Sequence, residues 1–207
     1  MNDVNIRFVM ESGEWIHPVH PDLIADSERA EKVMLEFNTS RELDDHGRMA
    51  LLRFLFAHIG ENTFIMPGLR FDYGYNITIG SDCFFNFNCT FLDGASIVFG
   101  DRVMVGPGCM FLTPLHPMLA RQRYESFSDG SRPLEWEREL PVTVGSDVWF
   151  GAGVIVSPGV SIGSGSMIGA GSVVTRDIPE NVFAAGNPCR VIRPLTEADA
   201  VKLPVKE

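Results

Sequence analysis

A bulky apolar residue returns at every sixth position through the later part of this chain: Val144, Phe150, Val156, Ile162, Ile168 and Val174 form one unbroken run. Glycine follows directly at Gly145, Gly151, Gly163 and Gly169, and sits three residues after the apolar partner at Gly153, Gly159, Gly165 and Gly171. A strand repeats every two residues and a helix about every 3.6, so a sustained period of six fits neither. It fits a solenoid of short β segments, where each apolar residue stacks on its equivalent in the next coil and glycine allows the turns. The period recurs upstream as Ile79, Phe85, Phe91 and Ile97, then slips by two and resumes as Phe99, Val105 and Phe111. The slip predicts a local bulge that leaves the stack intact. The chain is expected to be mainly β, a β-helix.

Composition bounds what such a coil can serve. With 207 residues, 45% of them apolar, the chain suits one domain and perhaps a small appendage. No apolar run is long enough to cross a bilayer, and Met1 to Glu11 has no signal-peptide core, which predicts a cytoplasmic protein. Seventeen basic against 27 acidic residues give a net charge of −10, which argues against nucleic acid or an anionic membrane as partner. An anionic ligand would need a locally basic patch. Cys83 and Cys89 lie one hexad apart, Cys109 and Cys189 stand alone, and no C-x-x-C occurs, so buried thiols in a reducing compartment are expected.

Three regions separate along the chain. Residues 1–60 lack the hexad and read as a small helical module: Ser27 is a candidate N-cap for Ala30, Val33, Met34 and Phe37, and Leu43, Met49, Leu52, Phe56 and Ile59 read as a second helix. His17-Pro18-Val19-His20-Pro21 before them is not helix interior. Residues 61–207 hold the β-helix, its coils running from about Asn62 to Asp177, with a C-terminal tail. One stretch, 113–141, breaks the hexad and carries His116-Pro117, Arg121, Arg123, Arg132, Trp136 and Arg138. A break that long inside a regular solenoid predicts a protruding functional loop.

Several segments occur together in a telling order: the hexads, Leu35-Glu36-Phe37-Asn38, Phe85-Asn86-Phe87-Asn88, His116-Pro117, Val148-Trp149-Phe150-Gly151, and Ala185-Gly186-Asn187-Pro188 followed by two arginines. In this combination the chain resembles the maltose/galactoside O-acetyltransferases among the hexapeptide-repeat acyltransferases, over nearly its whole length. The resemblance implies a left-handed parallel β-helix with three flat faces per turn. It also implies a homotrimer, active sites at subunit interfaces, acetyl-CoA as acyl donor with no metal, and a small hydroxyl acceptor. The hand is an inference from the resemblance alone, since parallel β crossovers are otherwise overwhelmingly right-handed.

Acetyl transfer from a thioester to a hydroxyl needs a base, an oxyanion donor and a coenzyme groove. His17, His20, His46 and His58 precede the coils, and only His116 lies among them, at the place of the family's catalytic histidine. It is expected to be the general base. Asn86 stands at a hexad corner and by resemblance orients acceptor or acetyl group; tolerance of a left-handed turn is the competing explanation for Asn86 and Asn88. Asp72 and Asp93 match positions lining the acceptor pocket, against the alternative of solvated turn acids. Ala152 matches a backbone oxyanion donor. Trp149, beside inward Phe150, points outward, where it would flank pantetheine or a trimer interface. Ala170, Thr175 and Arg176 line the late coils, and Arg176, Arg190 and Arg193 together suggest a phosphate dock.

The acceptor side departs from the pattern. Where the family has an acid and an arginine that grip the sugar, this chain has His17-Pro18 and Ser27, and its 113–141 loop is longer. A sugar or another small acceptor therefore remains open. Antibiotic- or amine-directed acetyltransferases share the fold without the helical module. A zinc enzyme of this fold would need three histidines in the coils, and a non-catalytic trimeric scaffold leaves His116, Asn86 and the arginines unexplained.

Overall fold

The computed structural model describes residues 5–125 and 134–204; Arg132 of the loop lies outside them. Short strands stack in parallel into three sheets that wind as one coil. The first sheet runs through His58–Ile59, Ile77–Ile79, Ile97–Phe99, Val142–Val144 and Ser161–Ile162. The second runs through Phe64–Ile65, Phe84–Phe85, Met104–Val105, Trp149–Phe150 and Met167–Ile168, and takes on the antiparallel hairpin Val182–Gly186 and Cys189–Pro194. The third holds Arg70–Phe71, Thr90–Leu92, Met110–Leu112, Ile155–Val156 and Val173–Val174. Each coil thus turns at three edges: a first edge from first sheet to second, a second edge from second to third, and a third edge back to the first.

Inward residues carry the core. Phe85, Phe91, Phe111 and Phe150 are fully buried, and edge-on contacts join Phe85 to Phe99 (4.9 Å), Phe99 to Phe111 (4.8 Å) and Phe111 to Phe150 (5.2 Å). Aliphatic Val156, Ile168 and Val174 continue the stack below. Burying each such side chain stabilises by about 1.5–3 kcal/mol, which lets strands of two or three residues persist.

The slip of two has a different cause from a bulge. Ile77 with Ile79, Ile97 with Phe99, and Val142 with Val144 are all buried, so first-sheet strands there are three residues long with both ends inward. The wider turns use the third edge, at Asp72–Asn76 and Asp93–Ser96, and the 113–141 segment leaves from the same edge one coil later. Asn88 takes a left-handed φ of 62° at the second edge whereas Asn86 does not, so turn conformation explains Asn88 alone.

Helices cover the start of the coil. α1 is Ile6–Glu11, unforeseen in the sequence pattern; α2 is Pro21–Thr39 and α3 is Asp45–Leu55. Ser27 lies inside α2: the cap is His20, whose ring accepts the N–H of Asp22, and Pro21 takes the first helical position, where its missing N–H costs nothing. Ile59 lies in the first strand, because α3 ends at Leu55. Phe37 and Leu52 reach the same core as Phe71. Asn38 ties α2 to the coil, donating to the Leu69 carbonyl (2.8 Å) and accepting the N–H groups of Gly68 and Leu69. None of the described helices is long and apolar enough to cross a membrane.

Candidate active site

The described parts of the 113–141 segment form an arm rather than an irregular loop. Pro114–Leu115 pairs antiparallel with Arg138–Glu139, Pro114 opposite Glu139 and Leu115 opposite Arg138. One step further out, that register sets His116 against Glu137. Glu137 also exchanges backbone hydrogen bonds with Ile16 (2.7 and 2.9 Å), so the segment before α2 becomes a third rail. His17 continues it: Nδ1 lies 2.8 Å from the Glu135 carbonyl, Nε2 lies 3.0 Å from Glu125, and the ring packs on Trp136. Position 17 thus fastens the arm.

The His116 ring is oriented by its backbone partner. Nδ1 is 2.8 Å from the carbonyl of Trp136. A carbonyl only accepts, so Nδ1 carries the proton and Nε2 is the basic nitrogen of the neutral ring. Nε2 lies 3.5 Å from Glu137, and the side chain is 45% exposed. Arg123 steadies the turn, donating to the carbonyls of Pro117 and Met118 at 3.0 Å each. A cavity of about 370 Å³ opens here between His116, Arg123, Tyr124 and Glu135. It adjoins one of about 650 Å³ that shares Pro117, Met118 and Tyr124 and adds Trp15 and Trp136 as walls.

Beneath the histidine sits a desolvated group of carboxyls. Asp93 is fully buried, and its side chain accepts the N–H groups of Asp72, Tyr73 and Gly74 at 3.0, 2.9 and 2.7 Å. It shapes the corner from below, with its oxygens turned to the backbone of 72–74. Burial pushes it up to about 7 against those donors. Asp72 is less buried and faces Glu137; burial first and Glu137 second push it up to about 6. Glu139 is 2% exposed, lies 2.5 Å from the Thr113 hydroxyl, and is pushed up to about 8, chiefly by burial. Glu137, Glu139 and Thr113 were absent from the sequence expectations. Their one signal is an alternation, Glu137-Arg138-Glu139, just before Leu140-Pro141 where the hexad resumes.

The other expected residues lie elsewhere on the coil. Asn86, Ala152 and Ala170 occupy the second edge, where the Ala152 carbonyl accepts the N–H of Gly171 from the next coil. Asn86 Oδ1 accepts the N–H of Phe87 (2.9 Å). Trp149 is 50% exposed on the outer face of the second sheet, between Met104 and Met167 in register. It shares a cavity of about 570 Å³ with Phe183, Arg193 and Asp199. Thr175 and Arg176 follow the last third-sheet strand at the third edge, whereas Arg190 and Arg193 lie on the terminal hairpin. Arg193 is already engaged, donating to both oxygens of Asp199 at 2.8 and 2.6 Å. No group of three or more His, Cys, Asp or Glu side chains among the described residues is arranged to hold a metal ion.

A three-sided parallel coil built on hexads, with one histidine carried out on an arm, has the architecture of a hexapeptide-repeat transferase. Residues 141–176 match the family model "Bacterial transferase hexapeptide (six repeats)", and residues 10–60 match "Maltose acetyltransferase hexapeptide capping motif". The chain is 40% identical to the galactoside O-acetyltransferase of Escherichia coli, covering 83% of this chain and 80% of that one. Among solved structures it resembles a galactoside acetyltransferase in complex with coenzyme A (TM-score 0.85, 36% identity, 95% and 94% of the two chains covered). It resembles equally a maltose O-acetyltransferase from Clostridium difficile (TM-score 0.86, 39% identity, 95% and 100% covered). The chain belongs to the maltose and galactoside family of hexapeptide-repeat acetyltransferases.

Proposed function

We propose that this acetyltransferase moves an acetyl group from acetyl-CoA to a hydroxyl of a sugar or similar small acceptor, with His116 as general base. The observation that carries the reading is the His116 ring itself. Its Nδ1 proton is committed to the Trp136 carbonyl, so Nε2 faces outward as a base with Glu137 beside it. In the reaction the acceptor hydroxyl gives its proton to Nε2 as its oxygen attacks the thioester carbonyl carbon. The tetrahedral intermediate collapses, the C–S bond breaks, and the imidazolium returns the proton to the departing sulfur, leaving an acetyl ester and the free thiol of coenzyme A. Glu137 stabilises the transient imidazolium. The coenzyme-bound relative supports the donor, and Trp149, Ala170, Thr175, Arg176, Arg190 and Arg193 are the residues assigned to it here.

The site is shared between copies in a homotrimer. Within one chain His116 stands off the third edge, while Asn86, and Ala152 as backbone oxyanion donor, stand on the second. A second copy must bring those edges together. Met104 (54% exposed) and Trp149 (50%) supply apolar surface for such packing. His116→Ala is expected to keep fold and coenzyme binding and to lose about 10²–10⁴-fold in turnover, followed by thiol release from acetyl-CoA over a panel of hydroxyl acceptors. Parent turnover is expected to rise with pH on the acid side, since only the neutral imidazole accepts a proton. Full turnover by a folded His116→Ala protein would end this mechanism.

A further inference from the structure

The segment before α2 reaches the catalytic face of the arm from behind. Ile16 opposite Glu137 sets a register that puts Trp15 beside Arg138 and His17 beside Trp136. Successive side chains of a strand point to opposite faces, so the returning strand of the arm turns Glu137 toward His116 and turns Trp136 and Arg138 away from it. On that far face the Arg138 guanidinium sits over the Trp15 ring, 5.6 Å from its centroid, and the His17 ring packs on Trp136 with centroids 3.8 Å apart. One residue thereby joins two histidines: Trp136 gives its ring to His17 and its carbonyl to Nδ1 of His116.

Hydrogen bonding gives the two rings different charges. In each, Nδ1 lies 2.8 Å from a backbone carbonyl, which only accepts, so Nδ1 carries a proton in both. The second nitrogens differ. Nε2 of His116 is 3.5 Å from Glu137, beyond the ordinary length of an N–H···O bond, and keeps its lone pair. Nε2 of His17 is 3.0 Å from the Glu125 carboxyl, a hydrogen-bond distance. Glu125 is 49% exposed, and a carboxyl standing in water at neutral pH has no proton to give. Nε2 must supply it, so the His17 ring holds both protons and is an imidazolium. It binds both strands of the arm, because Glu125 lies on the outgoing strand and Glu135, whose carbonyl takes the Nδ1 proton, on the returning one. The other charges nearby are Arg121, on the cavity that Trp136 and Glu125 also wall, and Arg138 over Trp15. On its own segment, His20 is turned to α2, where its ring accepts the N–H of Asp22. Among the described residues Glu125 alone forms an ion pair with His17.

We propose that His17 is a positioning residue for the acetyl transfer, an imidazolium clamp on both strands of the arm that keeps the Trp136 carbonyl in place against His116. This role rests on His116 being the base. His116 works as a neutral ring and His17 as a charged one, so the site needs opposite charge states of one residue type at once. The clamp holds where His17 is protonated and is lost as pH rises through its titration, whereas the base is gained as pH rises through its own. Turnover is therefore confined to a window, closed by His116 on the acid side and by His17 on the alkaline side.

The test compares the parent with His17→Phe, His17→Arg and Glu125→Gln, in kcat and KM across pH. His17→Phe keeps a ring on Trp136 without its donors and is expected to lose about 10- to 100-fold in kcat with little change in KM, the scale of a displaced catalytic group. His17→Arg supplies a flat, permanent cation; it should keep kcat within about threefold of the parent and lose the alkaline fall. Glu125→Gln removes the anion that favours the charge on His17 and should move the alkaline fall to lower pH. Two readouts are independent of acetyl transfer. The ¹⁵N spectrum of the parent at neutral pH should show His17 protonated on both ring nitrogens and His116 on Nδ1 alone. The Nδ1 proton of His116 should exchange with water faster in His17→Phe than in the parent. A neutral His17 ring, an alkaline fall that persists in His17→Arg, or parental kcat in His17→Phe would each overturn the proposal. Should His17→Phe fail to fold, the parent spectrum and the His17→Arg profile still decide. A parent that transfers no acetyl group would sink the functional reading, while the spectrum and the exchange rate still decide whether His17 is the clamp.

Discussion

Arg193 and Asp199 hold each other through two short hydrogen bonds at the end of the terminal hairpin. That pairing lowers Asp199 to about 2, the hydrogen bond with Arg193 coming first among the causes. A coenzyme phosphate seeking Arg193 must displace this carboxylate. Asp199→Asn is therefore expected to tighten acetyl-CoA binding about two- to fivefold at low salt, the scale of an exposed ion pair. The double replacement Arg190→Ala, Arg193→Ala should weaken it. Calorimetric titration measures both. Unchanged affinity in the double variant would move the phosphate dock elsewhere on the coil. At this scale the sequence showed which cations were available, and it could not show that one of them already had a partner six residues on.

The element scale explains what was legible. A hexad writes itself into sequence because each inward residue meets its own equivalents, so Phe85, Phe150 and Ile168 announce the coil without help from distant residues. The stack also predicts its own weak points. Phe99→Ala opens a hole between Phe85 and Phe111 and should cost about 3–5 kcal/mol in denaturant unfolding. Phe54→Ala, at a side chain 81% exposed on α3, should change stability by less than about 0.5 kcal/mol. Equal effects at the two positions would mean that the aromatic ladder is not the core. The arm was legible only as an interruption. Its antiparallel register depends on Ile16, more than a hundred residues earlier in the chain, and no local period encodes such a pairing. For the same reason His116 could be singled out, while Glu137, which needs that register to face it, and Glu139, buried against Thr113, could not. Ser27 misled because a capping residue type also occurs inside helices, and Pro21 with its fixed φ set the true start of α2.

At the scale of the molecule, the two residues proposed for the chemistry lie on different edges of one coil, His116 off the third and Asn86 on the second. If the reaction proposed above uses both, it proceeds only where copies meet, and that makes the assembly testable through activity itself. His116→Ala and Asn86→Ala should each be nearly inactive alone. Unfolded together in equal amounts and refolded, they should regain activity, because some interfaces then join an intact His116 from one copy to an intact Asn86 from its neighbour. Random mixing places both intact residues at roughly a quarter of the sites, so turnover should return to roughly a quarter of the parent value in any closed cyclic assembly. Simple mixing of the folded proteins should restore nothing until subunits exchange. A site complete within one chain gives no recovery at any mixing ratio, because every copy carries one defect. Such a result, or a stable 22.9 kDa monomer in light scattering with full turnover, would place the whole reaction on a single coil.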